Sequence, residues 1–358
     1  MHIPDGYLSP STCAVLYAGA APFWYVAARR VKKLLHTRLI PLISLFAAFS
    51  FVLMMFNLPL PGGTTGHAAG IAIAAIVLGT WPSILAISCA LIIQALFFGD
   101  GGITAIGANC FNMAIAGSLV ASAAYQLIAG SSGLESRRRL FAAGIAGYLA
   151  INAAALLAAI EFGLQPQFFR DATGAPLYAP YPLGIAIPAM MLGHLTVAGL
   201  AELFVTAGLV AWIQKSDPAL LKLTAPAGAI SEVSAAAERP ERRFRHSSLW
   251  ATLGVLMILT PLGILAVGTA WGEWGVSSFS DPGERDAMAA ASMNTAPPAA
   301  APSGLARLSS VWTAPIPGYA PPFLKSEQFG YMLSAMLGVG LVVSTVHLIG
   351  WIGARSKS

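Results

Sequence analysis

Long apolar stretches separated by short polar segments dominate the chain. Most of them approach the roughly 17–25 residues that an α-helix needs to cross a bilayer. Nine such stretches are 11–28, 39–57, 67–80, 83–98, 103–129, 140–160, 183–213, 249–271 and 329–352. Only Trp81 and Pro82 separate the short third and fourth stretches, which form either a tight pair or a partly re-entrant segment. The pattern predicts an all-α, polytopic membrane bundle with about nine transmembrane segments.

Composition and charge agree with this class and give it an orientation. Hydrophobic residues make up 56% of the chain and charged residues 10%, against ~25% charged residues in soluble domains. If the N-terminus lies outside, 16 of the 20 Lys and Arg residues fall in cytoplasmic segments, as the positive-inside rule requires. These segments are 29–38, 81–82, 130–139, 214–248 and 353–358. We therefore expect a multi-pass protein of the inner (plasma) membrane with a cytoplasmic C-terminus, whose net charge of +5 reflects contact with membrane lipids and not with nucleic acid.

The segments group into two units. Residues 1–213 carry seven of the predicted spans and form a membrane domain. Residues 214–247 are polar and basic, which is typical of a cytoplasmic linker. Residues 248–358 form a second unit, in which two spans enclose a long outside loop, 272–328. This loop is rich in Ala, Pro, Ser and Gly, so we expect it to be largely flexible.

Several kinds of chemistry find no support in the sequence. It contains no GxxxxGK[ST] phosphate-binding loop, so the chain has no ATPase motif of its own. No pair of carboxylates has a spacing that suggests hydrolysis, and we expect a protein that is not an enzyme and has no bound cofactor. The cysteines lie in or at the ends of apolar stretches without CxxC spacing, which predicts buried free thiols. They are Cys13, Cys89 and Cys110.

The first ten residues, MHIPDGYLSP, bring three nitrogen donors together. The Met1 amine, the His2 amide and the His2 imidazole can close fused chelate rings around a metal that prefers square-planar nitrogen ligands, such as Ni(II) or Cu(II). No basic segment precedes the apolar residues, and Pro4 interrupts them, so this is no secretory signal. We expect the bulky His2 to leave Met1 unprocessed. Asp5 is either an acceptor for a ligating imidazole or a turn residue.

The segment NLPLPGGTTGHAAG, residues 57–70, offers a fourth nitrogen donor. Its prolines and glycines predict a stiff, tightly turned backbone, which is tolerated at membrane depth only under cover of protein or a polar cavity. Such a loop can present His67 inward on the face that carries the N-terminus. Met1, His2 and His67 then supply four nitrogens, a set that favours Ni(II) or Cu(II) over a closed zinc site. Binding requires deprotonated ligands and should release protons.

Five further polar residues lie in apolar surroundings. Asn109 and Asn112 share a helical face and either join helices or support the metal site, together with Asp100 in the preceding turn. His194 and Glu202 occupy adjoining faces of the seventh span. Ionisable groups in a membrane are costly and usually face the bundle interior, so these two have either a structural or coupling role or a direct metal role.

Four motifs carry a family resemblance. MHIPDGYLSP, PGGTTGH, DGGITAIGANCFNMA and HLTVAGLAE resemble the CbiM/NikM family, the substrate-binding S-components of energy-coupling-factor (ECF) transporters for cobalt and nickel. The similarity covers about residues 1–213 and implies that Met1, His2 and His67 ligate the metal. It also implies partners, namely a transmembrane coupling subunit and ATP-binding subunits. The second unit resembles the two-span CbiN/NikN component fused to the first.

The leading hypothesis is therefore a metal-capture subunit that binds Co²⁺ or Ni²⁺ from outside and releases it inward when separate ATPases act. The ion is cargo, and cobalt uptake of this kind would serve cobalamin biosynthesis. Two alternatives remain open at this point. One is a stand-alone secondary metal/proton transporter with His194 and Glu202 as a proton relay, and the other is a membrane metal sensor that signals through 214–247. The residues do not decide between cobalt and nickel.

Overall fold

The computed structural model describes residues 1–34, 39–225 and 247–355. Six helices in this part of the chain are long and apolar enough to cross a membrane. They are Thr80–Phe98, Ile106–Ala129, Arg137–Phe168, Leu183–Ser216, Ser248–Leu265 and Glu327–Ile352. A shorter apolar helix spans Leu39–Met54. The prediction of a multi-pass helical membrane protein is confirmed, while the exact number of crossings and their orientation stay predictions.

The N-terminal unit contains nine α-helices among the described residues. They are α1 Pro10–Leu34, α2 Leu39–Met54, α3 Ile71–Leu78, α4 Thr80–Ile93, α5 Ile106–Asn109, α6 Ser118–Ala129, α7 Arg137–Phe168, α8 Leu183–Gly193 and α9 Gly199–Ser216. Three π-helical segments, at Gln94–Phe98, Cys110–Gly117 and His194–Ala198, extend or join them. A 3₁₀ turn follows at Pro218–Leu223. Such π segments recur at functional sites.

The stretch 67–80 does not form a crossing of its own. Its helix, α3, has eight residues and is about 12 Å long at 1.5 Å per residue, against a hydrocarbon core of about 30 Å. The Thr224 hydroxyl donates a hydrogen bond to the Ile76 carbonyl near the end of α3. Of the two arrangements predicted for 67–98, the partly re-entrant one fits this short helix better.

A two-stranded hairpin leads into α3. Strands β1, Leu58–Leu60, and β2, Thr64–Gly66, pair antiparallel with Leu58 opposite Gly66. The hairpin places His67 directly after β2. The Pro- and Gly-rich sequence predicts the tight turn but not the two strands. Gly70 then adopts a left-handed conformation, with φ of 67°, as the cap of α3.

The long helix α7 packs at the centre of the bundle against α6, α8 and α9. Small residues allow close approach of these helices, as in many membrane proteins. A Cβ atom on Gly147 of α7 would lie 3.0 Å from the carbonyl oxygen of Glu202 in α9. The buried cysteines Cys13, Cys89 and Cys110 are free, which confirms the prediction for them.

The second unit packs against the first over much of its length. Its elements are α10 Ser247–Leu259, a 3₁₀ segment Thr260–Leu265, a 3₁₀ turn Val276–Phe279, α11 Pro282–Ala291, α12 Ser303–Leu308, a 3₁₀ turn Pro317–Tyr319 and α13 Glu327–Arg355. Helices α10 and α13 contact α2. The linker predicted at 214–247 lies mostly outside the described residues, and the division into units stays a prediction.

The loop 272–328, predicted to lie outside, is folded, so the prediction that it is largely flexible is wrong. It contains α11 and α12, and several of its large apolar side chains are buried. These side chains, with Trp271 just before the loop, are Trp271, Trp274, Phe279, Met288 and Leu305. A few anchors of this size suffice to order an Ala- and Pro-rich segment against a preformed surface, because each buries a large apolar area.

Candidate metal centre

The N-terminal segment is buried inside the bundle. The side chains of Met1, His2 and Ile3 are 4%, 1% and 0% exposed. The Asn109 side chain makes two hydrogen bonds to the main chain of Ile3. The Ile3 amide donates to Asn109 Oδ1 at 2.8 Å, and Asn109 Nδ2 donates to the Ile3 carbonyl at 3.1 Å. The Gly102 amide donates to the same carbonyl at 2.8 Å. These bonds fix the position of the first two residues.

Asp5, two residues after Ile3, holds the same segment in place through its carboxylate. Its carboxylate accepts hydrogen bonds from the Ile103 amide at 3.1 Å and from the Thr104 amide at 2.8 Å. The two backbones approach so closely that a Cβ on Gly102 would lie 2.2 Å from the Asp5 nitrogen. Only glycine fits there. Asp5 therefore acts as a turn anchor and makes no contact with an imidazole among the described hydrogen bonds.

His67 faces His2 across the buried site. His67 Nδ1 lies 3.1 Å from the Ala68 carbonyl oxygen, which can only accept, so Nδ1 carries the proton and Nε2 is free to bind. His67 Nε2 lies 3.4 Å from His2 Nδ1, and the two ring centroids are 5.1 Å apart. His2 Nδ1 is the nitrogen that can close a chelate ring with the His2 amide. The folded chain thus brings the two predicted imidazoles together.

Asp100 is the acidic neighbour of His2. Its Oδ1 lies 3.1 Å from His2 Nδ1. Its Oδ2 accepts a hydrogen bond from the Tyr319 hydroxyl at 2.6 Å and another from Gln94 Nε2 at 3.3 Å. Asp100 therefore links His2 to a tyrosine of the second unit, a connection that the sequence does not reveal.

The second unit also reaches the amino terminus itself. Glu273 Oε1 lies 3.3 Å from the Met1 amine. The Tyr7 hydroxyl donates to the Trp274 carbonyl at 2.7 Å. A cavity of about 160 Å³ lies beside these residues, with Asp5, Tyr7, Glu273 and Trp274 on its wall. Glu273 and Tyr319 are the neighbours of the site that sequence reasoning missed; the WGEW motif around Glu273 is visible in the sequence, but nothing local connects it with Met1.

The remaining predicted residues, Asn112, His194 and Glu202, each make hydrogen bonds within the bundle. Asn112 Nδ2 donates to Glu161 Oε2 at 2.8 Å, so this amide joins two helices. His194 Nδ1 contacts the Met190 carbonyl at 2.9 Å within its own spanning helix. Glu202 Oε2 accepts hydrogen bonds from the amides of Ala69 and Gly70, two and three residues after His67.

The electrostatics of the site favour a neutral His67. This residue lies ahead of α3, outside the spanning helices. Burial lowers the pKa of His67 well below its usual value, and the neighbouring His2 and N-terminal amine lower this pKa further. The imidazole is therefore unprotonated at neutral pH, which is the form that binds a metal.

Main-chain nitrogens are essential to any metal site here. Among residues 1–34, 39–225 and 247–355, no three His, Cys, Asp or Glu side chains come together in a way that could hold a metal. Two imidazoles alone leave a transition metal short of ligands. The buried amine and amide of the N-terminal segment are candidates for the missing ligands.

Comparison with known proteins agrees with the resemblance seen in the motifs. Residues 2–220 match the CbiM family, described as the cobalt uptake substrate-specific transmembrane region. The chain is 57% identical to the fused nickel transport protein NikMN of Rhodobacter capsulatus, over 100% of this chain and 99% of that protein. It is 44% identical to the probable fused nickel transport protein LarMN of Lactiplantibacillus plantarum, over 76% of this chain and 78% of that one.

A solved structure described as a transition metal transporter is also similar. It is 50% identical, has a TM-score of 0.57, and the match covers 61% of this chain and 94% of the solved one. These relatives are transport proteins and not enzymes. The chain therefore belongs to the CbiM/NikM family of multi-pass membrane metal transport proteins, with a NikN-like part fused behind its CbiM region.

Proposed function

We propose that this chain is the metal-capture component of an ECF-type importer and that its cargo is Ni²⁺. The observation that carries the proposal is the approach of His67 Nε2 to His2 Nδ1, 3.4 Å apart in a buried site beside the Met1 amine. With metal–nitrogen bonds of about 2.0 Å, two adjacent ligands of a square plane lie about 2.8 Å apart. A small movement of either ring closes that gap.

The four ligands in this proposal are nitrogens. They are the Met1 amine, the His2 amide nitrogen, His2 Nδ1 and His67 Nε2. The first three close fused rings of the N-terminal chelate, and His67 completes the square. Four nitrogens in a plane favour Ni(II) or Cu(II) by geometry, and the relatives named above are nickel transport proteins. Nickel is therefore preferred to cobalt as the cargo.

Energy comes from separate subunits in this proposal. The chain contains no Walker-type phosphate loop, and the family resemblance implies a coupling subunit and ATP-binding subunits. A stand-alone transporter with Glu202 as a proton relay is less well supported, because the Glu202 carboxylate holds the amides of Ala69 and Gly70. The sensor hypothesis depends on the linker, most of which lies outside the described residues.

Uptake of Ni²⁺ into liposomes separates these functions. We expect the purified chain to bind Ni²⁺ but to give sustained uptake only when the coupling and ATP-binding subunits and ATP are present. His67→Ala should abolish uptake and high-affinity binding together. Sustained uptake by the chain alone under a proton gradient would instead establish a secondary transporter.

A further inference from the structure

A buried carboxylate in a spanning helix holds the loop that carries His67. Glu202 of α9 is 0% exposed, and a buried charge inside a membrane protein is costly unless it has partners and a function. Its Oε2 accepts hydrogen bonds from the Ala69 amide at 2.7 Å and the Gly70 amide at 3.0 Å. These two amides lie two and three residues after His67.

The same loop is held from other sides. The Ser50 hydroxyl of α2 donates to the Ala69 carbonyl at 2.6 Å. Gly70 has a left-handed φ of 67°, and a Cβ there would lie 3.1 Å from the Phe49 ring. The main chain after His67 therefore has little freedom. The carboxylate also faces the positive N-terminal end of α3, where free amides and the helix dipole stabilise an anion.

Glu202 is in turn fixed to the centre of the bundle. A Cβ on Gly147 of α7 would lie 3.0 Å from the Glu202 carbonyl, so α7 and α9 touch at this level. In contrast, the N-terminal donors are tied to a different part of the bundle through Asn109 and Gly102. The proposed metal ligands are thus divided between two supports, which meet where His67 faces His2.

We propose that Glu202 is the positioning residue for His67, and that through it the span Leu183–Ser216 sets the distance between His67 and the N-terminal chelate. This inference rests on the proposed metal-binding function and adds the element that controls the fourth ligand. It assigns Glu202 a role in positioning and not in ligation, because its carboxylate binds main-chain amides on the far side of Ala68. We expect the carboxylate, and not merely the shape of the side chain, to be required, because both amides donate to one oxygen and an anionic oxygen accepts such bonds more strongly than a neutral one.

The test uses Ni²⁺ binding by the purified full chain, followed by calorimetry and by the ligand-field absorption of the bound ion. We expect Glu202→Gln to weaken Ni²⁺ binding by about 10–100-fold, the range typical when a partner of a ligand is removed. The absorption of its bound Ni²⁺ should shift toward that of His67→Ala, since both variants lose the fourth nitrogen. A purely structural effect would lower the fraction of protein that binds and leave the absorption of bound Ni²⁺ unchanged.

Glu161→Gln is the matched control, because Glu161 is also a buried carboxylate of a spanning helix but pairs with Asn112. It should bind Ni²⁺ like the unmodified chain. If Glu202→Gln does not fold, Ser50→Ala tests the same loop with a milder change and should shift affinity and absorption in the same direction. Unchanged affinity and absorption in the folded Glu202→Gln variant, or in Ser50→Ala when that variant alone folds, overturn the inference. A His67→Ala variant that binds Ni²⁺ normally would instead overturn the ligand set.

Discussion

Extension of the chain ahead of Met1 is the perturbation that the site should tolerate least. Met1 is 4% exposed, and its amine lies 3.3 Å from Glu273. A Gly-Ser-Gly segment before Met1 converts the amine into an amide and pushes the Met1 side chain out of its pocket. Loss of the burial of one Met side chain costs about 1.5–3 kcal/mol, which corresponds to roughly 10–150-fold in affinity.

The loss of the amine as a ligand adds to this cost. Removal of a mere partner of a ligand typically weakens metal binding by about 10–100-fold, so removal of the ligand itself should cost at least as much. Together these terms predict a loss of Ni²⁺ affinity of about 100-fold or more, measured by calorimetry on protein whose N-terminus is verified by intact mass. The same tripeptide added after Ser358 is the control and should have no effect. Undiminished affinity in the N-terminally extended protein would refute the reasoning.

Three further predictions follow from neighbours of the site. Asn109→Ala should weaken Ni²⁺ binding by about 10–100-fold, because Ile3 loses both of its hydrogen bonds to the Asn109 side chain. Asn152→Ala, which removes a buried amide in α7, should leave binding unchanged. Equal losses of affinity in calorimetry would contradict this. Tyr319→Phe should cost about 1.5 kcal/mol of binding free energy, a roughly tenfold loss of Ni²⁺ affinity, because Asp100 loses its 2.6 Å hydrogen bond from the Tyr319 hydroxyl. Tyr331→Phe is the control and should leave Ni²⁺ affinity unchanged. Binding near neutral pH should release protons, because ligand nitrogens bind in their deprotonated form. None should come from His67, whose pKa is already lowered. Calorimetric enthalpies independent of the buffer would exclude this release.

The sequence predicts the helical membrane fold and the donors of the site because both depend on local chemistry. The length of an apolar stretch indicates a membrane span, and Met1 and His2 can form a chelate because their nitrogen atoms are adjacent in the chain. The hairpin before His67 follows from the turn preferences of Pro and Gly. The contact of His67 with His2 depends on folding, but the sequence predicts both segments on the same face of the membrane, where they can meet.

Other features depend on contacts that no local pattern encodes. Glu273 lies 272 residues from Met1 in sequence, and Tyr319 is 219 residues from Asp100, so neither partner could be named beforehand. The loop 272–328 looks flexible by composition, yet Trp271 and Trp274 bury their rings against Tyr181. The stretch 67–80 looks like a span by hydropathy, but Gly70 and Gly79 cap its helix and limit it to the eight residues of α3.

X-ray absorption spectroscopy of Ni²⁺ bound to the full chain tests the central claim most directly, because it reports the identity and geometry of the atoms around the ion. The account predicts four nitrogen neighbours and the pre-edge feature of square-planar Ni(II), with one nitrogen lost in His67→Ala. A shell of six oxygens, or any sulfur neighbour, would contradict it.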